Sequence, residues 1–326
     1  MSTLSSLGAW PDSAHVERES AAPQTPIFRR SFTLDFSELS QPRRPETSLR
    51  GDPFLGSEAL ASGALNSHTL RTRFTAVYPN VYVDSALTAS GRARAAWLWS
   101  KRRAIIAGNS AAALHRTPWV GAHEPAELIH DNRHPPQGIR TFSDRIEQDE
   151  IVEIRGMPVC SPVRTALDIG CRRPLDAAVA AIDALARATH LEFVAVEKLA
   201  ARYPGRRGLR NVRRALELVD AGAESPRETW LRLLIIRAGF PRPQTQITVR
   251  DEYGYPFARV DMGWENLKIG AEYDGGQHRV DPEVFARDIH RLEALANLGW
   301  VIVRVTKRDP ERGIINRLNR AFARRV

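Results

Sequence analysis

Residues 271–278 read AEYDGGQH and close a stretch in which apolar residues alternate with others. Leu267, Ile269, Ala271 and Tyr273 share one parity; Lys268, Gly270, Glu272 and Asp274 share the other. A period of two marks a strand half-buried against a core, so Glu272 and Asp274 project from one face. A third acid, Asp261, lies in an earlier alternating run, PFARVDMGW. Carboxylates converging on a sheet are hard oxygen ligands that suit magnesium or manganese, and such sites cut phosphodiesters.

Spacing gives an expected geometry. With Glu265-Asn266 as a two-residue hairpin turn, a place that suits Asn, Trp264 faces Leu267 and Asp261 falls opposite Gly270. Asp261 and Glu272 are then diagonal neighbours about 7 Å apart, with Gly270 leaving the space between them empty. At that separation they repel by about 2 kcal/mol at an effective dielectric of about 20. A bound divalent cation reverses the sign of that energy; plain solvation only weakens it.

The flanking segments supply the elements that hold these acids. Ser225-Pro226-Arg227-Glu228 is a capping box with Pro at the first helical position. It opens a helix over 228–238, stopped by Gly239 and Pro241. A strand over 246–250 and a turn over 251–255 lead into the hairpin. Asp281-Pro282 caps a helix of about sixteen residues ending near Gly299. An apolar strand over 300–305 follows, and Asp309-Pro310 opens a basic terminal helix. The predicted order is α-β-β-β-α-β-α.

With that order, the residues SPRETW, ARVDMGW, AEYDGGQH, RDIHRLEAL and GWVIVRV resemble the Vsr-like (very-short-patch-repair) branch of the PD-(D/E)XK nuclease superfamily, and within it an uncharacterised actinobacterial family. The likeness covers residues 223–326 and implies a restriction-endonuclease-like αβββαβα domain. It further implies that Asp261 and Glu272 bind the metal, Mg2+ or Mn2+, together with a strand carbonyl near Tyr273. Glu228 matches an acid of the first helix, and Asp274, Gln277, His278 and Asp288 fall at positions typical of the family. One departure stands out: the superfamily lysine, two residues beyond the second acid, is Asp274 here. The general base is therefore unassigned. His278 is a candidate, since an imidazole in general titrates near neutrality, and it could equally cap the loop or touch phosphate.

Plainer roles exist for several of these residues. Glu228 sits where a capping box wants Glu, Asp281 where a helix wants a cap, and Asp288 and Arg291 are spaced to pair on one helix. Asp274 goes with the site because its strand face already holds Glu272. His130 and His134 have helical ligand spacing, but the run DNRHPPQG makes their segment a loop.

A chain of 326 residues accommodates several domains. Residues 1–52 lack apolar periodicity and read as a disordered tail. Residues 53–87 follow the layout of a winged helix: a helix over 57–62, a break at Gly63, a second helix capped by Ser67, and a hairpin turning at Pro79-Asn80. Arg71 and Arg73 lie on the second helix, which in such folds enters the major groove; the other reading is a packing module with solvated arginines. Residues 88–222 are a mixed α/β region, with helices over 93–99 and 110–115, strands over 126–130, 138–142 and 151–159, and helices after Ser161-Pro162 and over 175–188. Residues 54–200 together resemble the AbiEi-type antitoxins, which are transcriptional autoregulators. The basic run YPGRRGLRNVRR carries Arg206, Arg207, Arg210, Arg213 and Arg214, as phosphate contacts or as a solvated helix before the linker at 221–224.

Charge agrees with a polyanionic partner without requiring one. There are 47 basic and 38 acidic residues, a formal net charge of +9, and nearly all the basic residues are arginine. Neither a signal-peptide core nor a run of about 18 apolar residues occurs, so a cytoplasmic, nucleoid-associated protein with no membrane partner is expected. Cys160 and Cys171, the only cysteines, have no zinc motif and are expected to be reduced. Three functions fit: a metal-dependent endonuclease on duplex DNA, an antitoxin-like regulator whose nuclease fold only grips nucleic acid, and an RNA-processing nuclease.

Overall fold

The computed structural model describes residues 51–275 and 282–325. Gln277, His278, the Asp281 cap and nearly all of the expected tail lie outside them. The described chain is mixed α and β, with three separate sheets. No helix among the described residues is long and apolar enough to cross a membrane.

First come β1 (Phe54–Leu55), α1 (Gly56–Ala61), α2 (Ser67–Arg73), β2 (Thr75–Tyr78) and β3 (Val81–Val83). The strands pair antiparallel in the order β1-β3-β2. Asn66, rather than Ser67, caps α2, its side chain accepting the Thr69 amide; an Asx cap one residue earlier lets Ser67 enter the helix. Of the α2 residues only Leu70 is buried.

Next are α3 (Ala89–Trp99), β4 (Ile105–Ile106), α4 (Gly108–Leu114), β5 (Ala126–Ile129), β6 (Ile139–Phe142), β7 (Ile151–Ile154) and β8 (Met157–Cys160). They build a five-stranded sheet in the order β6-β5-β4-β8-β7. The single strand expected over 151–159 is a hairpin, because Arg155 and Gly156 both take positive φ (53° and 73°) and fold β7 onto β8. The alanines of α3 and α4 let both helices pack closely on this sheet.

Four helices follow: α5 (Pro162–Arg172), α6 (Leu175–Thr189), α7 (Phe193–Ala201) and α8 (Leu209–Leu218). They enclose their own core, with Leu167, Ile182, Leu185 and Val212 fully buried. The basic run thus lies in and before an amphipathic helix, α8, that buries Val212 and Ala215.

The last part is α9 (Pro226–Arg237), β9 (Gln244–Arg250), β10 (Pro256–Trp264), β11 (Ile269–Asp274), α10 (Pro282–Asn297), β12 (Val301–Thr306) and α11 (Glu311–Phe322), in the expected order. Its sheet runs β12-β11-β10-β9, with β9, β10 and β11 antiparallel and β12 parallel to β11. One face packs against α9 and α11 through Leu231, Ile235, Met262, Val305 and Leu318. The other face, carrying Val260 and Ile247, packs with Leu295 of α10 and with Trp300. Helix α9 buries apolar residues on two sides: Leu231 meets the sheet while Leu233 enters the core of α5–α8. Its fully buried Arg232 meets Asp183 of α6 at 2.6 Å.

The β10–β11 hairpin differs from expectation. A 3-10 turn at Glu265–Leu267 and Lys268 in left-handed conformation (φ 50°) close it in place of a two-residue turn. Trp264 pairs with Ile269, Met262 with Ala271, and Gly263 with Gly270. The longer turn sets Trp264 and Ile269 into the same core. Continued, this register places Asp261 directly opposite Glu272 rather than on the diagonal. Gly270 does not leave space between the acids either: a Cβ there would come within 2.7 Å of both Val260 and Ile302, so its smallness admits core packing.

Candidate functional site

Asp261 sits where strand β10 reverses its facing. Val260 and Ile247 are paired and belong to the core under α10, whereas Met262, two residues on, belongs to the core under α9 and α11. An unbroken strand would put residues 260 and 262 on the same face. The pairing between β9 and β10 skips Asp261 and Gln246, and Gln246 has a φ of 52°. A left-handed non-glycine residue inside a strand is strained, by about 1–3 kcal/mol, and here it re-aims the side chains at the centre of the sheet.

Three acids gather at this point from three elements. Asp261 comes from β10, Glu272 from β11, and Glu228 from the first turn of α9. Beyond the pair Met262–Ala271 no further β10–β11 pair forms, and Asp261 turns into the gap, its Oδ2 accepting the Tyr273 amide at 2.9 Å. Burial pushes the Asp261 carboxyl up to about 7; the Tyr273 amide works against this, and the negative charges of Glu228 and Glu272 add to it.

Glu228 fills the capping-box role expected of it. Ser225 Oγ accepts the Glu228 amide at 3.2 Å and donates back to Glu228 Oε1 at 2.9 Å. Glu228 Oε2 accepts the Glu224 amide at 2.8 Å and Gln246 Nε2 at 3.2 Å. The cap and the proximity to Asp261 coexist, because the first turn of α9 points at the gap in the sheet.

Glu272, 7 % exposed, is held by Arg291 of α10 through two bonds of 2.8 Å, Nη1 to Oε1 and Nη2 to Oε2. The expected Asp288–Arg291 pair also forms, at 2.9 Å. Arg304 of β12 joins Asp288 (2.9 Å) to Asp274 (3.0 Å). Glu272, Arg291, Asp288, Arg304 and Asp274 thus form a chain of alternating charge on the α10 side of the sheet. Lys268 lies at the far end of the hairpin, where its Nζ donates to the Leu298 carbonyl.

Sequence reasoning missed three members of this constellation: Gln246, the reach of Arg291 to Glu272, and Arg304. A signal existed for Arg304. A charged residue inside the apolar run VIVRV calls for an acid on the neighbouring strand, and Arg304 pairs in register with Glu272. Nothing in the local sequence announces the conformation of Gln246.

The oxygens here suit a hard divalent cation in part. Asp261 Oδ1 has no hydrogen-bond partner among the described residues, and Gln246 Oε1 is buried without one. Against that, Arg291 occupies both oxygens of Glu272, and among the described residues no group of three His, Cys, Asp or Glu side chains is arranged to hold a metal ion. A cation at Asp261 would therefore draw on Gln246, on backbone carbonyl, or on Glu272 after Arg291 has turned to Asp288. His130 Nδ1 accepts the Asn132 amide in the loop expected there. Cys160 is buried, Cys171 half-buried, and both are free thiols.

The upstream arginines divide by what they touch. Arg71 and Arg73 are exposed on α2 with no ion pair among the described residues. Arg206 is only 15 % exposed and is spent on Asp144 (2.7 Å) and Asp168 (2.6 Å), next to the fully buried Arg164. Arg213 pairs with Glu197 at 3.1 Å on the surface. Arg207, Arg210 and Arg214 are exposed and unpaired among the described residues. Arg210 and Arg214, one helical turn apart, line an open groove of about 410 Å3 together with Arg206, Gly208 and Asn211.

Two uncharacterized proteins, from two strains of Mycobacterium tuberculosis, are similar to this chain: each is 31 % identical over 159 residues, covering 49 % of this chain and 58 % of the relative. The chain thus matches a little over half the length of these relatives. No family model and no solved structure matches it.

Proposed function

We propose that the last part of the chain is a Vsr-like PD-(D/E)XK nuclease domain that hydrolyses DNA phosphodiesters with a divalent cation, Mg2+ or Mn2+. The observation that carries this reading is the meeting of Asp261, Glu228 and Glu272, from two strands and a helix N-terminus, around a gap in the sheet. A bound divalent cation would supply charge for the departing oxygen and a more acidic water. Asp261 would hold it, with its Oδ1 unbonded among the described residues and its Oδ2 anchored by Tyr273 N–H. Glu228, fixed by its capping bonds, would keep that corner negative. Arg291 would supply fixed positive charge beside Glu272, where the superfamily lysine is replaced by Asp274. Gln277 and His278 belong to the same proposed site. Upstream, α1, α2 and the β2–β3 hairpin are read as a winged helix, inside an AbiEi-like region extending through residue 200, with Arg71, Arg73, Arg207, Arg210 and Arg214 contacting the duplex.

The test is cleavage of supercoiled and linear DNA by purified protein with magnesium, manganese or chelator. Asp261→Ala and Glu272→Ala should abolish cutting while leaving DNA binding intact. Cleavage by both at the wild-type rate would end the nuclease assignment.

One observation favours a second reading. The Arg291 clamp on both Glu272 oxygens is what a fold that grips nucleic acid without turnover would retain. An antitoxin-like regulator would bind its own promoter with chelator present and cut nothing under any divalent ion.

A further inference from the structure

Gln246 combines two local costs at one position. Its backbone takes a left-handed conformation within β9, and its Oε1 is buried with no hydrogen-bond partner among the described residues while its Nε2 donates to Glu228 Oε2 at 3.2 Å. The first costs about 1–3 kcal/mol, and an unsatisfied buried acceptor costs a similar amount. Ile247 and Thr245 on either side keep their pairs with Val260 and Met262, so the distortion is confined to this one position, where β10 changes facing. What the conformation achieves is placement: it stands the amide beside Glu228, at the register position of Asp261, in the place where strand pairing is interrupted.

We propose that Gln246 is a further ligand of the divalent-cation site, its Oε1 supplying a neutral oxygen next to the Asp261 carboxylate. This rests on the nuclease reading given above. The chemistry is appropriate on two counts. Magnesium and manganese accept amide and carboxylate oxygens alike. A neutral ligand also adds coordination without a further negative charge beside Glu228, Asp261 and Glu272. With both oxygens of Glu272 held by Arg291, the amide takes a place that an acid would otherwise fill.

The experiment is Mn2+ binding to the full-length chain, by calorimetry and by the electron paramagnetic resonance signal of free Mn2+, after removal of metal by chelation. Wild type should bind, and Asp261→Asn should not. Gln246→Leu should weaken Mn2+ by about tenfold or more, and the isosteric Gln246→Glu should bind at least as tightly as wild type. If Asp261→Asn loses Mn2+ while Gln246→Leu binds it like wild type, Gln246 is not a ligand, although the nuclease reading stands. If wild type itself takes up no Mn2+, both fall. Should Gln246→Leu fail to fold, Gln246→Glu decides alone: binding tenfold weaker than wild type would overturn the proposal.

Discussion

Arg291 of α10 closes on both carboxylate oxygens of Glu272 at 2.8 Å each, while its Nε and Nη2 also bond Asp288 Oδ1 at 3.2 and 2.9 Å. Glu272 is nearly buried, so the clamp neutralises a charge that water barely reaches. Because Asp288 already holds the same guanidinium, Arg291 can leave Glu272 without losing every partner.

Removing the guanidinium should therefore have opposite effects on fold and on cation affinity. Arg291→Ala leaves the Glu272 carboxylate unpaired and should cost about 2 kcal/mol in chelator, less than a fully buried pair because Arg291 is partly exposed. The same variant should bind Mn2+ more tightly than wild type, since the competing cation is gone. Urea denaturation with and without Mn2+ measures both. A variant as stable as wild type and unchanged in Mn2+ affinity would remove Arg291 from the site.

Asp261 should make the metal-free protein pH-sensitive. Burial raises its folded pKa to about 7 from an ordinary value of 3.8. The folded state thus holds this proton more tightly than the unfolded chain. The resulting stability is complete below about pH 4 and is lost as pH rises through about 7. Asp261→Asn cannot titrate. In chelator it should match wild type near pH 4 and exceed it by about 2–4 kcal/mol near pH 8. Equal stability of the two proteins across that range would show that Asp261 is not held in a costly environment.

These two residues also show what was legible in the sequence. The period-two runs and the capping box fixed β10, β11 and α9 on local grounds, so the origins of Asp261, Glu272 and Glu228 could be read directly. The register of the hairpin could not. It depends on a 3-10 turn and a left-handed Lys268, chosen by the burial of Trp264 against Ile269 rather than by a strong turn motif. The clamp on Glu272 escaped because α10 and β11 meet only in the folded chain, and Arg291 had a ready local partner in Asp288. Arg206 escaped likewise: in sequence it belongs to a basic run, in the fold to a buried network with Asp144 and Asp168.

The buried pair between Asp183 and Arg232 yields a prediction independent of function. Asp183 accepts from Arg232 Nη2 at 2.6 Å, Thr229 Oγ1 at 2.8 Å and the Asp220 amide at 2.7 Å, tying α6 to α9. Asp183→Ala strands a guanidinium that is fully buried and should cost about 3–5 kcal/mol. Replacing both partners by apolar residues, as in Asp183→Leu with Arg232→Met, should recover most of that loss. Chemical denaturation of the two variants checks it; a double variant as unstable as the single one would mean that packing, not charge, dominates here.

The proposed nucleic-acid binding would separate arginines that the sequence groups together. Arg207, Arg210 and Arg214 are exposed and unpaired among the described residues, whereas Arg206 is consumed by Asp144 and Asp168. Each phosphate contact contributes about 0.9 to the slope of log affinity against log salt. Replacing Arg207, Arg210 and Arg214 together by Ala should flatten the slope for duplex DNA by about 2–3 and leave the melting temperature unchanged. Arg206→Ala should do the reverse: an unchanged slope and about 2 kcal/mol less stability, since it leaves the buried Asp168 and the partly exposed Asp144 short of a partner. Titrations at several salt concentrations, paired with denaturation curves, distinguish the two. If Arg206→Ala alone flattened the slope while the triple variant did not, the proposed DNA contacts would have to be redrawn around the groove that Arg206 lines.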